Sequence, residues 1–314
     1  MEDGKYLYKY MSPEIAEKLL QNENCSLKFS YLKDYNDPFE FFLTIDYNQG
    51  PDTLAFYNEM ISMVVEEPVT CFAKSPLITP MWAHYASNSQ GFVAEINETA
   101  LDEWLKSQDS DPSFGDINYR DTPHEGMQGL LDRAFVISKP RYIAFLQQAI
   151  GAAAYFTKQT CWGYEQERRL IINNKNVTKI NENLTLLFFP KEFINSLVVG
   201  AKASEELKSK IKKISDVIGC NYYEKHIGRS STTPFFLDRK KQTHTFNNGK
   251  IAPHVERCDS CKEPKTIANS KLCSWCLIDE SHQNNAAHRN SFRMLESAGI
   301  LKTYIENFQA IGKK

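Results

Sequence analysis

Cys258-Asp259-Ser260-Cys261 and Cys273-Ser274-Trp275-Cys276 form a C-x2-C-x11-C-x2-C arrangement. Each C-x2-C can bend as a knuckle that brings two sulfurs to one ion, and two knuckles complete a tetrahedral four-sulfur shell. Thiolate softness favours Zn(II), with an iron–sulfur centre as the second choice. Four protein ligands leave no coordination position for water, so the predicted site is structural rather than catalytic. A module this small depends on its metal to fold. The remaining cysteines, Cys25, Cys71, Cys161 and Cys220, are scattered and read as buried thiols in a reducing compartment.

The tail that holds the cysteines differs in charge from the rest. Residues 238–314 carry 13 Lys+Arg against 8 Asp+Glu, a net of +5, whereas residues 1–237 carry 24 against 31, a net of −7. Lys262, Lys265, Lys271 and Trp275 lie in or near the knuckles, and Arg289 and Arg293 fall on a helix predicted over about 281–308. Basic residues interleaved with an aromatic suit nucleic-acid phosphates and bases. A protein partner and simple stabilisation of the chain are the alternatives.

The preceding residues read as one α+β body. Hydrophobic residues make up 42% and charged residues 24%, which is ordinary for a soluble globular chain. No apolar run approaches a membrane span, and the N-terminus lacks a basic-then-apolar leader, so the cytoplasm is the expected location. Short strands are expected at 5–11, 26–30, 68–73, 91–96, 184–189, 194–200 and 220–226. Helices are expected near 13–22, 53–65, 99–107, 140–158 and 207–218. The elements do not alternate regularly, which favours a split, mostly antiparallel sheet with flanking helices. The predicted organisation is a body over 1–226, a polar linker over 227–250 and a zinc module over 251–314.

Within the body, Cys161–Ile172 (CWGYEQERRLII) sets polar residues directly before a buried apolar run. In a strand, Glu165, Glu167 and Arg169 share one face, and Gln166, Arg168 and Leu170 share the other. That face belongs either to a wet edge strand or to an active site.

Five motifs occur in order: LYKYMSPEIAEKLL, LKFS with NDPFE, CFAKS with MWAHYA and GF, WGYEQERRLI, and LVVGAKASEELK. Over about residues 6–220 they resemble the bacterial family known as domain of unknown function 2971. Two departures are visible. Ala73 stands where that family usually has serine, leaving Ser75 as the nearest hydroxyl, and Arg168 stands where it tends to have tryptophan. The motif order is also similar, more loosely, to the NAD-dependent ADP-ribosyltransferase superfamily, many members of which carry E-x-E on a late strand. Glu165-Gln166-Glu167 has that form.

The second resemblance implies an ADP-ribosyltransferase-like fold and NAD as substrate. Glu167 would grip the ribose 2′-OH as positive charge develops in an oxocarbenium-like state. Glu165 would orient or deprotonate the acceptor, with His84 a further acid–base candidate. Tyr8, Tyr10, Trp82 and Tyr85 would wall the nicotinamide, Asn36 and Asp37 would meet ribose hydroxyls, and Ser75 would stand in for the missing serine. Lys9, Lys74 or Arg169 would meet the pyrophosphate. Coupled to a basic zinc tail, such an enzyme would modify a macromolecule, nucleic acid being one candidate, and would suit a bacterial toxin or antiphage defence effector. A non-catalytic ligand- or protein-binding body with a zinc docking module is the alternative, and NAD hydrolysis without transfer the third. No glycine-rich dinucleotide loop, P-loop, H-E-x-x-H or G-x-S-x-G is present in the sequence.

Overall fold

A computed structural model describes residues 5–21, 23–35, 44–265 and 270–311. It divides into two compact units, Met1–Pro253 and His254–Lys314.

The strands of the first unit are β1 (Tyr6–Met11), β2 (Leu20–Gln21), β3 (Asn24–Phe29), β4 (Val69–Ala73), β5 (Phe92–Asn97), β6 (Ser113–Asp116), β7 (Asn118–Tyr119) and β8 (Thr157–Lys158). They continue as β9 (Glu167–Ile171), β10 (Thr178–Asn181), β11 (Leu184–Pro190), β12 (Ile194–Val199), β13 (Asn221–His226), β14 (Phe235–Asp238), β15 (Thr243–Asn247) and β16 (Lys250–Pro253). Its helices are α1 (Ala16–Leu19), α2 (Pro51–Ser62), α3 (Thr79–His84), α4 (Glu98–Ser107), α5 (Glu125–Ile137), α6 (Pro140–Phe156) and α7 (Glu205–Ile218).

Ten strands form one mostly antiparallel sheet in the order β16-β15-β14-β13-β12-β5-β1-β4-β9-β6, and β10-β11-β3-β2 form a second. The mixed α+β class matches the expectation. The polar stretch expected as a linker over 227–250 instead carries β14, β15 and the start of β16, each antiparallel to its neighbour. Phe235, Phe236 and Leu237 are buried in this ladder, and burial of three large apolar side chains outweighs the polar flanks.

The large sheet is nearly divided. β1 pairs with β5 over six consecutive residues but with β4 only at Tyr8↔Ala73. Tyr8 and Tyr10 point to one face, where they join Trp82, Val93 and Val198. Leu7 and Met11 point to the other and pack with Phe29, Phe72 and Phe189 between the two sheets. Strand alternation produces both faces from one sequence, KYLYKYM. Away from the strands, α2, α5 and α6 bury Tyr57, Leu131, Leu146 and Ile150 against one another.

Two glycines fix the turn before β5. Ser87, Asn88 and Ser89 are all left-handed, with φ of 48°, 56° and 66°. Gly91 and Gly200 close over this turn through Gly200 N–H to Gly91 O at 2.9 Å and Lys202 N–H to Ser89 O at 2.9 Å. A Cβ on Gly91 would lie 2.1 Å from the Met11 carbonyl oxygen, and one on Gly200 would lie 2.2 Å from that of Ser89.

The second unit begins with the cysteine knuckles and continues as α8 (Glu280–Arg289), α9 (Ser291–Ser297) and α10 (Leu301–Ile311). The single helix expected over 281–308 is therefore three. Asn290 caps α9 with extended backbone, and Gly299, at φ 72°, precedes α10. No helix of the described residues is long and apolar enough to cross a membrane.

Candidate functional site

A cavity of about 590 Å³ lies where β1 and β4 part, a volume typical of small-molecule sites. Its lining draws on both faces of the large sheet and on the second sheet. Tyr8, Tyr10, Tyr85, His84, Glu165, Glu167, Arg169 and Lys9 all line it. Three expected residues, Lys74, Ser75 and Trp82, do not. Trp82 is fully buried, donating Nε1–H to Pro76 O at 2.7 Å beneath the Lys225 ammonium. Ser75 is turned into its own loop, accepting the Leu77 N–H at 3.1 Å. Asn36 and Asp37 lie outside the described residues.

The polar end of the cavity is a buried charge cluster. Glu165, Glu167, Lys158 and Arg169 are each no more than 5% exposed. Lys158 Nζ donates to Glu165 Oε2 at 2.7 Å and to Glu167 Oε2 at 3.1 Å. Arg169 Nε donates to Glu167 Oε1 at 2.6 Å, and its Nη1 to the Tyr155 carbonyl at 2.9 Å. Tyr85 adds its hydroxyl to Glu165 Oε1 at 2.6 Å. Two cations thus balance two carboxylates, which is what allows all four to stay buried.

β9 is not a wet edge strand. It lies between β4 and β6, and Tyr119 accepts the Glu167 N–H at 2.8 Å. Nor is Glu165 part of it. Thr160–Glu165 is a 3₁₀ segment, and Gln166 is left-handed at φ 47°, so regular alternation begins only at Glu167. That turn nevertheless returns the Glu165 carboxylate to the side occupied by Glu167. Arg168, on the opposite face, forks onto Glu98 at 2.6–3.0 Å and reaches Asp116 at 2.8 Å.

Environment drives the two carboxyls apart. Burial pushes Glu167 up, but Arg169 and Lys158 together outweigh it and hold the pKa at about 2. Burial raises Glu165, and Lys158 and Tyr85 offset only part of that rise. A pair separated in this way has one member permanently ionised and one suited to proton transfer. Burial also lowers Lys9 and raises Cys71 to about 12, the latter with help from Glu167.

Lys158 is the central residue that strand periodicity does not reveal. It sits on the two-residue β8, and its ammonium lies 4.7 Å from the Trp162 ring centre. A basic residue closing an otherwise apolar helix, seven positions before a glutamate pair, was the available signal. Among the expected phosphate partners, Lys74 is committed to Asp116 at 2.7 Å and Arg169 to Glu167. His84 is exposed on the lining, its ring 6.4 Å from that of Tyr85.

In the second unit, Cys258, Cys261, Cys273 and Cys276 hold their sulfurs within 4.8 Å of one another. Tetrahedral Zn–S bonds of about 2.3 Å require sulfurs about 3.8 Å apart, and Cys261 Sγ to Cys273 Sγ is 3.7 Å. Lys262 N–H donates to Cys258 O at 3.0 Å, and Leu277 N–H to Cys273 O at 3.1 Å, folding both knuckles. The four cysteines can hold a metal ion such as zinc. Lys262 and Lys265 turn their ammonium groups onto the Asp259 and Ser270 carbonyls, so these two lysines hold the loops, whereas Lys271 is exposed. Trp275, Arg289 and Arg293 are exposed. Of the scattered cysteines, Cys25 is buried as expected, but Cys161 is exposed.

No curated protein and no solved structure matches this chain. Residues 81–170, which run from α3 to β9 and include His84, Tyr85, Lys158, Glu165, Glu167 and Arg169, match the model of a family described as protein of unknown function (DUF2971).

Proposed function

We propose that the first unit transfers ADP-ribose from NAD to a macromolecular acceptor, with the second unit as a zinc-stabilised module that engages the acceptor or its carrier. The observation that supports this reading most is the pairing of Glu165 and Glu167 on the lining of one cavity, with opposite pKa shifts.

In the proposed reaction the ribose C1′–nitrogen bond breaks, and nicotinamide leaves with the electron pair. Glu167, ionised and using two of about four lone-pair directions on Lys158 and Arg169, retains acceptor capacity for the ribose 2′-OH. That hydrogen bond strengthens as C1′ becomes electron-poor, so it lowers the barrier rather than only binding substrate. The acceptor atom forms the new bond to C1′ and passes its proton to Glu165, whose raised pKa makes it the better base. Tyr85 holds Glu165 in place and supplies an aromatic wall.

The docking alternative, a body without catalysis, predicts both glutamates in open solvent, and both are buried. The decisive experiment incubates adenylate-labelled NAD with the full chain and DNA, RNA or cell lysate, each beside Glu167→Gln. Label that appears on one acceptor and vanishes with Glu167→Gln supports transfer. Nicotinamide release without label identifies a hydrolase, and no NAD turnover overturns the enzyme reading.

A further inference from the structure

The same cavity carries a second set of cations, on β1, α1 and β3. β3 turns Cys25, Leu27 and Phe29 into the core, so Ser26, Lys28 and Ser30 face the other way. Lys28 stands in the middle of that face, directly across from Leu186 on β11. Lys28 is exposed on that face, flanked by Ser26 and Ser30 and with no carboxylate opposite.

Two more lysines line the same cavity. Lys9 leaves the Leu7–Met11 side of β1 and donates to Thr70 Oγ1 at 2.9 Å and to Cys71 O at 2.7 Å. Both acceptors are neutral, and an ammonium has three donors, so one remains for a ligand. Lys18, on α1, lines the same cavity. Among the described residues none of Lys9, Lys18 and Lys28 pairs with an acid. Burial lowers the Lys9 pKa most, Glu167 pushes it back up, and Lys28 adds a smaller push downward, so both charges lie within electrostatic reach of Lys9.

The charge count agrees. The lining holds five cations (Lys9, Lys18, Lys28, Lys158, Arg169) against two carboxylates (Glu165, Glu167), a net of +3 with His84 neutral, in a chain of net charge −2. Glu165 and Glu167 already neutralise Lys158 and Arg169, which leaves the three lysines as the surplus.

We propose that Lys9, Lys18 and Lys28 form a pyrophosphate subsite of the cavity, contributed mainly by the second sheet and α1, for a nucleotide whose ring system rests on Ile180, Leu184 and Leu186. This assigns the charge recognition to Lys18 and Lys28, in place of Lys74 and Arg169. The subsite rests on the NAD reading for the identity of the whole ligand but not for its charge.

The test is calorimetric titration of the full chain with inorganic pyrophosphate, ADP and adenosine at low ionic strength. Lys18 and Lys28 are exposed, so Lys18→Gln with Lys28→Gln keeps the fold, checked by an unchanged Tm. The expected result is affinity for pyrophosphate and ADP at least about tenfold weaker in the double Gln variant, restored by Lys18→Arg with Lys28→Arg. Adenosine binding should not change between variants. Equal pyrophosphate affinity in wild type and the Gln variant, or no binding of pyrophosphate by wild type, overturns the subsite. Retained pyrophosphate binding without NAD turnover would instead refute the transferase reading and leave the subsite standing.

Discussion

Lys158 Nζ lies 2.7 Å from Glu165 Oε2, and both side chains are almost wholly withdrawn from water. Each charge is tolerated there only because of the other, and Glu167 and Arg169 complete the neutral set. Removing one member leaves an uncompensated charge in a low-dielectric surrounding. Lys158→Met should therefore cost about 3–5 kcal/mol of stability, the range for breaking a buried ion pair. Adding Glu165→Gln should recover part of the loss. A double-mutant cycle by urea unfolding checks both, and additive effects would show the pair to be uncoupled.

Acid should act through Glu167. Its folded-state pKa of about 2 lies below the unfolded value near 4.3, so its contribution is fully present above the unfolded pKa. It fades as pH falls from about 4.5 towards 2. Glu165 has the opposite sign, because its raised pKa gives stability below the unfolded value that fades as pH rises. Stability of Glu167→Gln should fall less steeply than that of wild type below pH 4.5. Parallel pH curves would exclude Glu167 from this role.

Metal removal should affect the second unit selectively. With the four sulfurs unbridged by disulfides, chelation leaves His254–Lys314 without its cross-link. Limited proteolysis of the full chain after chelator treatment should cut beyond His254 and spare Met1–Pro253. Released zinc, read with a colorimetric indicator, should equal one ion per chain in wild type and fall sharply in Cys273→Ser.

Two glycine substitutions should move stability in opposite directions. Gly91→Ala forces a methyl onto the Met11 carbonyl oxygen, which backbone cannot yield cheaply, and should lower Tm strongly. Gly129→Ala, in the middle of α5 with nothing within 4 Å of the new methyl, should stabilise by about 0.5–1 kcal/mol. Thermal melts of the two variants beside wild type decide it.

Much of this was written in local pattern. Alternation in KYLYKYM separates Tyr8 and Tyr10 from Leu7 and Met11, and alternation in ERRLI places Glu167 and Arg169 together. The cysteine spacing alone located the metal-binding cluster. What pattern could not supply was distance along the chain. Lys28 and Lys9 line one cavity only because two sheets stack, and Lys158 reaches the glutamates from a two-residue strand with no periodicity. The left-handed Gln166 breaks the face that alternation assigns to Glu165, since a single φ value is not encoded in hydrophobic rhythm. Phe235–Leu237 were hidden by their polar flanks, which made three strands read as a linker.

The lone Tyr8↔Ala73 register pair has a mechanical meaning. Six residue pairs tie β1 to β5 and five tie β4 to β9, whereas one ties β1 to β4. Compliance in the ten-stranded sheet is therefore concentrated along that seam, and the seam is the line on which the cavity lies. Across that line the Lys9 ammonium, bonded to Thr70 Oγ1 and Cys71 O on β4, does the tying that backbone pairing does elsewhere in the sheet.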